Sequence, residues 1–326
     1  MTDAVIIGAG VVGLWAARAL LARGIRPRLL DRAGGPGPQG CSWWAGGMLA
    51  PDCEGATAEP PVVRHGRAAI EAWAGVTQLH RRGTLVLAPE RDRADLAAFA
   101  ARTVGHEAVD AAQVGKLEPD LAPRHRYGLL FAGEAHLDPR QALADLAGAL
   151  ARAGVRIEQA EAEPEDFGGP VLDCRGLAAR DRLPGLRGVR GEMVVLRSSE
   201  ITLSRPVRLL HPRHPLYVVP RAGGLFMLGA TQIESEARSG VTARSALELL
   251  SAAFALDPRF AEAEVVEMGR DLRPAFADNM PRVIRRGRVL YLNGLFRHGY
   301  LMAPALAAQA ADLLATGQMG DLVHED

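Results

Sequence analysis

The chain has 326 residues, 48% of them apolar, with Lys+Arg and Asp+Glu equal at 38 each. That length allows two packed domains around a large core, and the balanced charge leaves no positive field to gather phosphate backbones, so nucleic acid is not an expected partner. Lys116 is the only lysine, and an Arg-rich, Ala-rich composition reflects coding bias before it reflects carboxylate recognition. The three cysteines, Cys41, Cys53 and Cys174, form no CxxC pair, which fits a reducing cytoplasm better than a disulfide framework. Residues 4–22 are apolar enough to suggest a signal or membrane segment, but three glycines and Arg18 interrupt them and no basic leader precedes them. Membrane insertion is therefore not expected.

Residues 3–7 read as a fully buried parallel strand that runs directly into G-A-G-V-V-G at 8–13. The glycines have separate jobs. Gly8 permits the tight turn, Gly10 lets backbone approach a pyrophosphate, and Gly13 lets the next helix pack closely on the sheet. That helix is expected to run to about Arg23, with Val11 and Val12 in its first turn, where free N–H groups and the positive end of the helix dipole face the phosphates. A second strand at 27–30 ends at Asp31, an acid placed to accept from ribose hydroxyls, with Arg32 beside it. These features point to a dinucleotide site but do not separate NAD from FAD.

Next come C-S-W-W-A-G-G-M-L-A-P at 41–51 and V-L-D-C-R-G-L at 171–177. Near the C-terminal end, L-R-P-A-F-A-D-N-M-P-R at 272–282 precedes an apolar strand at 289–292 and N-G-L-F-R-H-G-Y-L-M-A-P-A at 293–305. In this order the motifs resemble the D-amino acid oxidase family of flavoenzymes, and within it the glycine oxidases of thiamine biosynthesis. The resemblance covers almost the whole chain.

That resemblance implies an α/β fold: a Rossmann-like FAD-binding domain of the glutathione reductase type 2 with a strand-rich α+β substrate domain. It divides the chain into a discontinuous FAD domain (1–80, 139–185 and 265–326) and a substrate domain (81–138 and 186–264). It implies FAD contacts at Gly8, Gly10, Val11, Val12, Gly13, Asp31 and Arg32. Along the flavin ring it adds Cys41, Ser42, Gly46, Gly47 and Met48, and from the returning strand Cys174 and Gly176. The last motif contributes Gly294, Leu295, Phe296, Arg297, His298, Gly299, Tyr300 and Leu301. Pro304 is expected in the first turn of a final helix whose N-terminus favours charge on reduced flavin.

The implied reaction moves hydride from an amine-bearing carbon to flavin, so the protein's work is orientation. By position in the motifs, Arg273 and Arg297 are the expected carboxylate anchors, Tyr217 a pocket hydrogen-bonding group, and Met48 a neighbour of the substrate. Gln232 stands where methionine is usual, and Trp43 and Trp44 replace smaller residues and receive no role. The implied partners are a small amino acid and oxygen, and the resemblance suggests a homo-oligomer. Competing readings are an amine dehydrogenase that reduces a quinone, a non-catalytic FAD protein, and a nicotinamide dehydrogenase.

Between these motifs, strands are expected at 83–88, 191–197, 216–220 and 225–229, with a turn at 222–224. Asp138 reads as the N-cap of a helix from Pro139 to near Gly154. His211 and His214 flank Pro212 in a loop rather than on a metal-binding helix. The short polar segment 155–170 offers no motif for the adenine end.

Overall fold

The computed structural model describes residues 3–211 and 215–325. Pro212 and His214 lie outside the described residues. The apolar run at 3–7 forms the Asp3–Ile7 strand near the middle of a seven-stranded sheet. Its parallel neighbours are Arg26–Asp31 on one side and Val171–Asp173 on the other. Ile157–Gln159 closes the sheet beyond Arg26–Asp31, while Val289–Asn293, Arg282–Arg286 and Val323–Glu325 extend it the other way. Of these pairings only Arg282–Arg286 with Val289–Asn293 is antiparallel.

The Val11–Leu21 helix buries nine of its residues, including Trp15. A helix apolar all round must be enclosed, and this one shares a core with the Pro139–Arg152 and Gly299–Thr316 helices. Asp138 caps Pro139–Arg152 as expected, accepting from the Arg140 and Gln141 N–H groups at 2.8 and 3.2 Å.

An eight-stranded sheet holds the expected strands, now bounded as Thr84–Leu87, Arg187–Arg197, Leu216–Arg221 and Leu225–Gly229. Val207–Leu209, Tyr127–Phe131 and Glu107–Asp110 join them. The remaining strand of this sheet is Glu264–Ala275. It hydrogen-bonds antiparallel along all of Arg187–Arg197, so the chain returns to the seven-stranded sheet only at Arg282. This places Arg273 on the larger sheet.

Pro304 requires a correction. It lies inside the Gly299–Thr316 helix rather than in its first turn. A proline there leaves the carbonyl four residues earlier without a helical donor. That carbonyl belongs to Tyr300, and the indole N–H of Trp73, on the Pro60–Ala74 helix, donates to it at 2.8 Å. The helix therefore starts five residues earlier than proline chemistry alone suggests, because tertiary structure supplies the missing donor.

Candidate active site

Gly8 has φ of +101°, and a Cβ there would lie 2.6 Å from the Cys174 carbonyl oxygen. Only glycine fits, so the turn and the 171–177 segment are locked together. A Cβ at Gly13 would lie 1.8 Å from the Gly8 carbonyl, which is the close helix–strand contact read from the motif. Gly10 is the N-cap and has no side chain to cap the helix; Ser42 Oγ, from the 41–51 segment, accepts the Val11 N–H at 3.1 Å. Asp31 organises the same turn: Oδ2 accepts from Ala9 N–H and Oδ1 from Ala33 N–H, both at 2.8 Å.

From this turn a cavity of about 1340 Å³ runs to the eight-stranded sheet. Of the residues expected at the site, Gly8, Gly10, Val11, Val12, Asp31, Arg32, Cys41, Ser42, Gly46, Gly47, Met48, Cys174 and Gly176 line it. So do Tyr217, Arg273, Leu295, Phe296, Arg297, Gly299, Tyr300 and Leu301. Gln232 is also in the wall, and Ala160, Glu161 and Ala162 supply the lining of the segment that offered no motif. Three expected contacts lie behind the wall. Gly13 is spent on helix packing, a Cβ at Gly294 would meet the Phe276 ring at 2.2 Å, and the His298 ring turns to Glu54, with Nδ1 at 3.5 Å. Burial holds the His298 imidazole down at about 4 despite the pull of Glu54, so it is neutral at pH 7 and the imidazole is not a charged partner for a substrate.

The small residues of the 41–51 segment are there for their neighbours. A Cβ at Gly46 would reach the Tyr217 ring at 2.8 Å, one at Gly229, opposite Tyr217 in register, at 2.4 Å, and one at Gly47 the Leu137 carbonyl at 2.1 Å. Trp44, left without a role by sequence, covers Gly269, where a Cβ would touch its ring at 2.0 Å, and its indole N–H donates to the Pro38 carbonyl at 2.9 Å. Arg140 sits over the Trp43 and Trp44 rings at 4.7 and 5.4 Å. Burial, aided by Asp271, pushes the Cys41 thiol up to about 12, so it remains protonated and is no nucleophile.

At the far end of the cavity the two expected arginines differ sharply. Arg273 Nη1 donates to the Thr231 carbonyl at 3.1 Å, and among the described residues no carboxylate pairs with it. Burial pulls its pKa down, so an incoming anion is what this group lacks. Its guanidinium covers Gly191, where a Cβ would lie 2.1 Å from Nη2. Arg297 is already committed: its Nε donates to Glu54 Oε2 at 2.8 Å, its Nη2 forms an ion pair with the same oxygen at 2.5 Å, and Nη2 donates to Thr57 Oγ1 at 2.9 Å.

Glu54 is a site residue that sequence reading missed. Burial would raise its carboxyl, but Arg297, His298 and Arg208 outweigh it and hold it down at about 2. Arg208 was missed as well. Its signal is a lone arginine within the apolar run of Val207–Leu209, at a position facing the cavity. Phe296, with φ of +49°, is an aromatic residue in the left-handed region, a strained conformation that concentrates at functional sites. Its N–H donates to the Pro274 carbonyl at 2.8 Å, tying the last motif to the L-R-P segment.

Among the described residues no group of three or more His, Cys, Asp or Glu side chains could hold a metal, and no helix is long and apolar enough to cross a membrane. The glycine cradle, the N-terminal end of the Val11–Leu21 helix and a cavity that reaches from them to Arg273 fit a long dinucleotide.

Comparison with known proteins agrees with this fit. Residues 3–313 match the family described as FAD dependent oxidoreductase. A Rhizobium etli protein assigned to thiamine biosynthesis as the oxidoreductase ThiO is 52% identical over 314 residues, covering 95% of this chain and 96% of that one. Glycine oxidase of Geobacillus kaustophilus is 28% identical over 358 residues, covering 96% and 92%. Its crystal structure superposes with a TM-score of 0.81 at 23% identity over 99% of this chain and 97% of that one. Iminodiacetate oxidase of Chelativorans sp. BNC1 gives the same TM-score at 21% identity over 99% of both, and these two superpositions establish the fold alone. The chain therefore belongs to the FAD-dependent oxidoreductases, as an enzyme of the glycine oxidase and ThiO type, and FAD is its cofactor.

Proposed function

We propose that this enzyme oxidises glycine, and with it sarcosine or small D-amino acids, to the imine that hydrolyses to glyoxylate. Oxygen accepts the electrons and leaves as hydrogen peroxide, and the product serves thiazole formation in thiamine biosynthesis in the cytoplasm. The observation that carries this reading is Arg273, a half-buried guanidinium with no carboxylate partner among the described residues, lining the same cavity as the Gly8 turn. The thiamine assignment is supported by the relative at 52% identity.

FAD supplies the hydride acceptor when bound. The Gly8–Gly10 turn and the Val12 amide would hold its pyrophosphate, Asp31 and Arg32 its ribose end, and the 41–48, 295–297 and 299–301 segments its ring. On this reading the seven-stranded sheet carries the cofactor and the eight-stranded sheet the substrate wall. Arg273 takes the substrate carboxylate on its planar fork, which fixes both distance and angle. Tyr217 borders the carboxylate, with burial raising its pKa so that its hydroxyl keeps its proton to donate. Met48, Trp44 and Tyr217 screen the reacting carbon from water. Little acid–base machinery is needed if the amine enters neutral, and His298, neutral and turned away, does not supply it.

Peroxide release from glycine, sarcosine and a panel of D-amino acids tests the reading, with glycine expected to be turned over. Anaerobic bleaching followed by air distinguishes an oxidase, which recolours at once, from a quinone-reducing dehydrogenase, which does not. Turnover of another amine with none of glycine would sink the substrate assignment.

A further inference from the structure

Arg208 has no part in the reading above, yet it stands beside the residues that do. It faces Tyr217 directly across the antiparallel pair Val207–Leu209 and Leu216–Arg221, and such partners project from the same sheet face with Cβ atoms about 5 Å apart. Both side chains line the cavity that Arg273 lines.

Arg208 is poorly satisfied. Among the described residues its only acceptor is Glu54 Oε1, at 3.5 Å, with the Phe99 ring at 5.5 Å. Glu54 can give it little more, since Oε2 of the same carboxylate takes both Nε and Nη2 of Arg297. Glu134 is the other nearby carboxylate. It is buried, its Oε1 is spent on the Cys53 N–H at 2.8 Å, and burial, against that hydrogen bond, pushes it up to about 7. Arg273, at its end, has one hydrogen bond to a neutral carbonyl. A guanidinium carries five donors; Arg208 is partly exposed and Glu54 upholds its charge against burial, but most of its donors, like those of Arg273, have no protein acceptor among the described residues. Two such groups line one cavity, and the carboxylate of a simple amino acid satisfies only one of them.

We propose that the pocket has a second anion subsite built on Arg208, which makes it favour α-amino acids with a further carboxylate on the amine nitrogen or the β-carbon over the matched monoacids. The inference rests on the amine-oxidation reading and names the substrate class of that same site. The chemistry is unchanged. With iminodiacetate, hydride leaves one methylene for FAD and the imine takes up water to give glycine and glyoxylate, while oxygen takes the two electrons and two protons as peroxide. With D-aspartate the products are oxaloacetate, ammonia and peroxide. Arg297 is no rival for the role, because Glu54 and Thr57 hold it.

The test compares kcat/KM of the FAD-loaded enzyme within two pairs: iminodiacetate against sarcosine, and D-aspartate against D-alanine. At least one diacid should exceed its monoacid partner by about tenfold, the size of one charge-assisted contact. Arg208→Met should bring that ratio to one or below, and Arg208→Lys should restore part of it. Monoacids preferred in both pairs, or a ratio that Arg208→Met leaves untouched, overturns the subsite while leaving the oxidase reading standing. If no amine bleaches the flavin, both fail together. Should Arg208→Met fail to retain FAD, the wild-type ratios decide alone.

Discussion

The indole N–H of Trp73 donates to the main-chain carbonyl of Tyr300 at 2.8 Å, and the two rings stack with centroids 5.3 Å apart. This contact repairs the defect that Pro304 introduces in the last helix, and the Tyr300 hydroxyl in turn donates to the Ser42 carbonyl at 2.9 Å. The repair therefore also bears on the 41–51 segment.

Trp73→Phe should lower unfolding stability by about 1–3 kcal/mol, the cost of leaving a buried carbonyl unsatisfied. In a Pro304→Ala background the alanine N–H can reach Tyr300 through the helix, so the same substitution should cost about 1 kcal/mol less. Denaturant unfolding of the four proteins measures the coupling. Strict additivity would show that Trp73 contributes packing and not the missing donor.

Arg273 should be sensitive to a residue that never touches substrate. A Cβ on Gly191 would sit 2.1 Å from Nη2 and 2.3 Å from Cζ, so Gly191→Ala must displace the guanidinium. We expect kcat/KM for glycine to fall about a hundredfold, chiefly through KM, because a misaligned fork loses its bidentate geometry. Bound FAD, read from the visible spectrum, should be unchanged. An unaltered KM would remove Arg273 from carboxylate binding.

What the chain discloses before folding follows from how local the chemistry is. The Gly8–Gly13 turn, the Asp138 cap and the Leu225–Gly229 strand were legible because each is set by neighbours in sequence. The Glu264–Ala275 strand was not legible, because its partner, Arg187–Arg197, lies far away in sequence. Pro304 was misplaced for a related reason: the donor that makes it tolerable comes from Trp73, on another helix. Motif position identified Arg273 and Arg297 as cavity residues but could not show that Arg297 is held by Glu54, a pairing set by the fold. Arg208 carried a faint signal, a charge amid apolar strand residues, whose meaning depends on which sheet face borders the cavity.

The cofactor turn makes a separate prediction. Gly8→Ala places a Cβ 2.6 Å from the Cys174 carbonyl at a φ of +101°, and both atoms are backbone-fixed. The purified variant should lose most of its flavin absorbance, with the strand and helix pushed apart. Gly169→Ala, at a position with nothing within 4 Å and no positive φ, is the control and should retain full colour. A yellow Gly8→Ala protein would mean that the 171–177 segment does not press on the turn.

Glu54 should leave a signature in the acid limb of stability. Its folded pKa of about 2 lies below the ordinary 4.5, so its contribution is fully present above pH 4.5 and disappears as pH falls toward 2. The depression corresponds to about 3 kcal/mol at neutral pH, and the carboxylate is buried enough, at 16% exposure, that solvent screening does not erase it. Glu54→Gln should therefore be destabilised by an amount of that order at pH 7, by progressively less from pH 4.5 downward, and by almost nothing near pH 2. His298 works the other way: its folded pKa of about 4 lies below the ordinary imidazole value, so it opposes folding as pH drops below 6.5. Glu54 itself pulls the His298 pKa up, so Glu54→Gln shifts that titration too, and repeating the comparison in a His298→Gln background isolates Glu54. A difference that stays constant from pH 7 to pH 2 would mean that shape, and not the charge held between Arg297 and Arg208, is what Glu54 provides.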